Sequence, residues 1–142
     1  MALRIYLDAS VLVALFLDDP FSDRAEDFFG ASSLTPIVSD FASAEFASAA
    51  ARRVRMGELA PGAAREAFAD LDGWLLGGVQ RVEMTSADVH AAGGFIRRLD
   101  LNLRTPDALH IALSSRCGAS LATFDTRMLE NARVLGVVAA SL

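Results

Sequence analysis

The chain has 142 residues, 18 acidic side chains against 13 basic ones, a formal charge of −5 and a hydrophobic fraction of 53%. That balance excludes a disordered chain and a protein that coats nucleic acid non-specifically, and it suits one domain over residues 1–142. All thirteen basic residues are arginine, so neither a P-loop nor Schiff-base catalysis is available. A single cysteine, Cys117, permits no intramolecular disulfide or thiolate zinc cluster and fits a reducing, cytoplasmic setting. Two histidines, His90 and His110, are too few for most zinc hydrolase sites.

Leu3–Leu7 is a short apolar run that stops at Asp8 and predicts a buried strand. Ser10 is expected to cap a helix over Val11–Leu17, closed by Asp18-Asp19-Pro20, and a second helix is expected from about Ser22 to Phe29. Met1–Leu17 is apolar enough to mimic a signal peptide, but Asp8 interrupts it and no small-residue cleavage site follows. No uncharged apolar stretch approaches the ~18 residues of a membrane span. Pro36–Ser39 predicts a second strand, and Asp40 opens an Ala-rich helix to about Met56. Pro61 suits the first turn of a further helix ending near Gly77-Gly78, and Val79–Met84 is a third strand candidate. Thr85 or Ser86 caps a helix to about Leu99, Thr105-Pro106 starts another to Arg116, and Gly118 closes it. Ala119–Phe124 is a strand, Thr126–Arg133 a short helix and Gly136–Ala139 a terminal strand. Short apolar strands alternating with helices predict an α/β fold, a three-layer, mostly parallel sheet of about five strands.

Ligands of open parallel sheets bind beyond the carboxyl ends of the strands. Asp8 and Asp125 fall at two such ends, Asp107 lies in a first helical turn, and Glu45 lies inside the Ala-rich helix. Each has a plain alternative: Asp8 and Asp125 can begin loops or cap helices, Asp107 can complement a helix dipole, and Glu45 can face water. Glu45, however, shares its stripe with Phe41, Ala42 and Ala49, with only Ser48 as a polar neighbour. A carboxylate there needs a partner, no arginine lies within a turn, and a cation from outside the chain is the expected answer. Converging carboxylates repel unless a divalent ion neutralises them, and oxygen-only ligands select Mg²⁺ or Mn²⁺. Such sites serve phosphodiester hydrolysis without a histidine base or a lysine clamp.

Leu7-Asp8-Ala9-Ser10, Ala44-Glu45-Phe46, Pro106-Asp107-Ala108-Leu109 and Thr123-Phe124-Asp125 resemble, in order and spacing, the PIN-domain nucleases, and most of all the VapC-type toxin ribonucleases. The resemblance spans nearly the whole chain and implies a PIN-like fold, catalytic metal-ligand roles for Asp8, Glu45, Asp107 and Asp125, and an orienting role for Ser10 and Thr123. For Ser10 a plain helix cap is an equal alternative. Some relatives carry a further acid after the last motif; here Thr126-Arg127 follows, which leaves the metal count open.

The resemblance further implies a Mg²⁺- or Mn²⁺-dependent endoribonuclease that leaves a 5′-phosphate, a homodimer, and inhibition by a cognate antitoxin. Alternatives are a PIN nuclease in RNA processing or on DNA and a catalytically silent interaction module. RNA phosphates need a basic rim, for which Arg52, Arg53, Arg55, Arg97, Arg98 and Arg127 are candidates, although the cluster at 52–55 also suits a helix C-terminus. His110, three residues after Asp107, reads as packing or a partner contact rather than a general acid, and His90 as a helix-surface residue. Trp74 reads as core, with an oligomer or antitoxin surface as the alternative, and Cys117 as a small buried hydrophobe.

Overall fold

A computed structural model describes residues 2–31 and 33–142. Four parallel strands, β1 (Leu3–Leu7), β2 (Leu34–Ser39), β3 (Gln80–Val82) and β4 (Ser120–Ala122), form one sheet in the order β3-β2-β1-β4. The helices are α1 (Ala9–Phe16), α2 (Ser22–Ala31), α3 (Asp40–Arg55), α4 (Pro61–Leu75), α5 (Ser86–Arg97), α6 (Thr105–Cys117) and α7 (Thr126–Val134). Among the described residues no helix is long and apolar enough to cross a membrane.

Side chains alternate across a strand, and the two faces carry separate cores. Ile5, Leu7, Val38 and Ala122 pack with Val11 and Leu12 of α1, Phe46 of α3 and Leu71 of α4. Trp74 belongs to this side, its ring 5.4 Å from that of Phe16. Tyr6, Ile37 and Leu121 face the other way, onto Ile111 and Leu113 of α6 and Met128 of α7. The result is the expected three-layer α/β arrangement, with the central strand β1 buried on both faces.

The sheet is smaller than expected. Gly136–Ala139 is not a fifth strand: among the described residues it contributes one bridge, Leu121 to Ala139. The cause is the shortness of β4. Backbone groups point alternately to the two sides of a strand, so in three residues only Leu121 turns both its N–H and its C=O outward. It donates to Val138 O (2.8 Å) and accepts from Ala140 N (2.8 Å), which uses up that edge.

One helix start also differs from expectation. The cap of α1 is Asp8, which accepts from Val11 N, so Ser10 lies inside the helix. The cap of α3 is Ser39, which accepts from Ala42 N at 2.9 Å. Thr85 caps α5 in a reciprocal box with Asp88, and Gly118 ends α6 at φ 61°, a conformation glycine adopts freely. The fifth helix stops at Arg97, short of Leu99, whose φ of 66° breaks the helical path.

Strand order, not strand count, positions the site. The chain steps from β1 outward to β2 and β3, then returns to place β4 on the other side of β1. Neighbouring crossovers therefore diverge between β1 and β4, and a crevice opens at their carboxyl ends. Asp8 follows β1 there and Asp125 follows β4.

Candidate active site

Asp8 is held by three donors. Its Oδ1 accepts from Ser10 Oγ (2.6 Å) and Val11 N (3.2 Å), and its Oδ2 accepts from Thr123 Oγ1 (2.5 Å). These bonds immobilise a carboxylate that is only 3% exposed and has no arginine among its hydrogen-bonding partners. Burial pushes its pKa above the ordinary 3.8. The hydrogen bonds from the Ser10 and Thr123 hydroxyls and the Val11 amide oppose that rise without cancelling it.

Thr123 and Ser10 also tie the two strand ends together. Thr123 Oγ1 accepts from Asp125 N at 3.0 Å, and Ser10 Oγ accepts from Phe124 N at 3.0 Å. Asp125 in turn caps α7, its Oδ1 taking Arg127 N (2.9 Å) and Met128 N (3.2 Å). The plain helix-capping roles of Asp8 and Asp125 are thus real, and each leaves its acid at the crevice. Ser10 and Thr123 both orient Asp8 by direct contact.

Asp107 is the third residue of α6 and is 3% exposed. Its Oδ2 accepts from the N–H and Nε of Arg104, both at 3.4 Å. Glu45 reaches the same place from α3, and its Oε1 is hydrogen-bonded to Nε2 of His110 on α6. This corrects the expectation that Glu45 has no partner within the chain. Its side chain is 30% exposed, and its partner lies 65 residues away, beyond the reach of any reasoning from its own helix.

One cleft of about 280 Å³ is lined by Asp8, Glu45, Asp107 and Asp125, with Ser10, Arg104 and His110 also on its wall. A larger hollow of about 470 Å³ lies elsewhere, between Asp40, Asp72, Arg81 and Glu83, where charges of both signs are mixed. In the acidic cleft the donors available to a cation are carboxylate oxygens, and Glu45 Oε2, Asp107 Oδ1 and Asp125 Oδ2 have no hydrogen-bond partner among the described residues. That donor set fits a hard divalent ion. The acids share a wall rather than a point: among the described residues no three His, Cys, Asp or Glu side chains are already close enough to cage an ion.

The expected basic rim is only partly there. Arg53 is committed to structure, with its guanidinium on Asp19 Oδ1 (3.0 Å) and Asp18 O (2.9 Å). Arg52 and Arg97 are exposed on α3 and α5 without lining the cleft, and Arg127 is exposed in the first turn of α7, two residues from Asp125. The arginine on the cleft wall is Arg104, which the sequence reading missed. A signal existed, because it sits three residues before Asp107 at the cap of a helix that starts Thr105-Pro106. Cys117 is half-buried rather than buried.

A PIN-domain family model matches residues 5–134. Ribonuclease VapC46 of Mycobacterium tuberculosis is 36% identical over 137 residues, covering 94% of this chain and 93% of that protein. Among solved structures, Mycobacterium tuberculosis VapC20, described as a sarcin-ricin loop cleaving toxin, superposes with a TM-score of 0.76 at 20% identity, over 97% of this chain and 99% of that one. VapBC2 from Rickettsia felis, bound to a DNA fragment from its promoter, gives 0.69 at 15% identity, over 97% and 98%. The motif order, the parallel sheet with its acids at the β1–β4 crevice, and these matches lead to one assignment: the chain belongs to the PIN-domain family, in its VapC-type branch.

Proposed function

We propose that this protein is a Mg²⁺- or Mn²⁺-dependent endoribonuclease and the toxin of a toxin–antitoxin pair. The observation that carries the reading is the cleft itself. Four carboxylates from four separate elements line it, and one of the two buried ones, Asp8, is pinned by hydroxyl and backbone donors without an arginine. The VapC-type relatives named above support the choice of RNA as substrate and of a cognate antitoxin as partner.

In this reading Asp8, Glu45, Asp107 and Asp125 hold the cation. When bound, it supplies a nucleophilic water near neutral pH and offsets charge on the phosphodiester oxygens. The chain's own residues do the rest. Ser10 and Thr123 keep the Asp8 carboxylate from rotating, and Asp125 is fixed by the amides of α7. Arg104, whose side chain is 69% exposed at the mouth of the cleft, meets an RNA phosphate as it approaches the acids. Arg127, Arg52 and Arg97 extend the basic rim. The product carries a 5′-phosphate, and the active form is a homodimer.

The test is cleavage of RNA by purified protein with Mg²⁺, Mn²⁺ or EDTA, alongside Asp8→Asn and Glu45→Gln. Either substitution is expected to lower the rate by at least about 100-fold. Cleavage that survives both substitutions and the chelator overturns the mechanism.

A further inference from the structure

A closed hydrogen-bond chain runs from the interior to the cleft, and its proton count can be solved. Ser39 Oγ accepts from Ala42 N (2.9 Å) and is bonded to Tyr6 OH (2.8 Å). Tyr6 OH is bonded to His110 Nδ1 (2.7 Å), and His110 Nε2 to Glu45 Oε1. Ser39 and Tyr6 are 0% exposed and His110 is 2% exposed, so no proton in the chain can be handed to bulk water. The amide of Ala42 can only donate. Among the described residues the one acceptor for the Ser39 proton is therefore the Tyr6 oxygen, and the one acceptor left for the Tyr6 proton is His110 Nδ1. With Nδ1 accepting, the imidazole carries its proton on Nε2 and donates it to Glu45. Every proton is used once, and every bond points toward the cleft.

The reverse polarity leaves the buried Ser39 proton without an acceptor, which costs the full desolvation of that group. Burial also holds the Tyr6 phenol far above its usual range, so it remains an O–H donor. The imidazole plane is pinned by the rings of Tyr6 (5.7 Å) and Phe41 (5.1 Å).

We propose that Ser39 and Tyr6 lock His110 as the neutral Nε2–H tautomer, making it a positioning residue that holds Glu45 through Oε1 and leaves Oε2 to face the acidic cleft. A neutral donor suits this task. An arginine or lysine in its place would orient Glu45 equally well but bring a fixed positive charge that competes with a cation at the cleft. The value of the lock for catalysis rests on the metal-nuclease reading above; the tautomer and the Glu45 contact do not.

The experiment has two independent arms. In the first, the metal-free protein is labelled with ¹⁵N-histidine and its imidazole nitrogens are assigned by NMR at pH 7. Exposed His90 serves as an internal reference, since the chain has only these two histidines. For His110 we expect Nε2 protonated, Nδ1 unprotonated, a slowly exchanging Hε2 that shifts in Glu45→Gln, and a mixture of tautomers in Tyr6→Phe. An Nδ1–H tautomer, an imidazolium, or an Hε2 indifferent to Glu45→Gln overturns the proposal, and the wild-type spectrum alone decides even if a variant does not fold. In the second arm, Mn²⁺ affinity and RNA cleavage are measured for His110→Ala and His110→Gln, whose amide can still donate. His110→Ala is expected to lose about 10–100-fold and His110→Gln to recover most of it. A His110→Gln that is no better than His110→Ala overturns the positioning role. A wild-type protein that neither binds Mn²⁺ nor cleaves RNA overturns the nuclease reading and leaves the lock to the spectrum.

Discussion

Asp8 and Asp88 are the same residue type, equally buried at 3% and 2% exposure, and opposite in character. Both sit at a helix start and accept from a threonine hydroxyl and a backbone amide. Asp88 also receives a fork from Arg116, with Nε on Oδ1 at 2.7 Å and Nη2 on Oδ2 at 2.9 Å. The guanidinium holds its carboxyl below the ordinary range, whereas burial without such a partner pushes Asp8 above it. Asp88 joins α5 to α6 and is finished as a structural element. Asp8 is a charge the fold orients but does not pair with an arginine, which is what the proposed cation site requires.

The contrast can be broken from either side. Replacing Arg116 by Met strands a buried carboxylate and is expected to lower stability by about 2 kcal/mol, less than for a fully buried pair because the arginine is 40% exposed. Chemical denaturation reads this directly. Asp8→Asn should do the reverse, keeping a cap acceptor while removing the desolvated charge, and raise stability by about 1 kcal/mol, or roughly 3 °C in Tm, as activity disappears. A calorimetric scan in EDTA that shows Asp8→Asn less stable than wild type at pH 7 refutes the account of Asp8.

The two effects have opposite pH signatures. The stability Asp88 contributes is present above its unfolded pKa near 4 and is lost as pH falls through its lower folded value. Asp8 destabilises increasingly as pH rises from 3.8 toward its higher folded pKa. Both mutant differences should therefore shrink at acid pH, the deficit of Arg116→Met and the gain of Asp8→Asn alike. Smallest of all, Arg53→Ala removes a partly exposed ion pair with Asp19 and should cost about 0.5 kcal/mol while leaving RNA affinity little changed. An RNA-binding loss in Arg53→Ala as large as that in Arg104→Ala would add Arg53 to the basic rim.

The strand–helix alternation, the caps at Thr85 and Gly118 and the four acids were legible in the chain because each depends on neighbours within a turn or a strand. The fifth strand was misread because the run at Gly136–Ala139 is apolar enough, while its pairing is limited by β4, which offers one outward residue. Ser10 is not the cap because Asp8, two residues earlier, accepts from Val11 N and starts the helix at Ala9, before Ser10 is reached.

By itself the sequence determined which groups could do chemistry: carboxylates, hydroxyls and arginines, with no lysine and too few cysteines and histidines for most zinc sites. Local patterning also set where those groups fall relative to strand ends and helix turns. Only the tertiary structure decided what each one touches. It brought His110 to Glu45 across 65 residues and Arg116 to Asp88 across 28, set Arg53 on Asp19, and gave Asp8 hydroxyl and amide donors rather than an arginine. The physical reason is that hydrogen bonds act over about 3 Å, a distance that sequence spacing controls only within one element. Between elements, sheet order and helix packing control it.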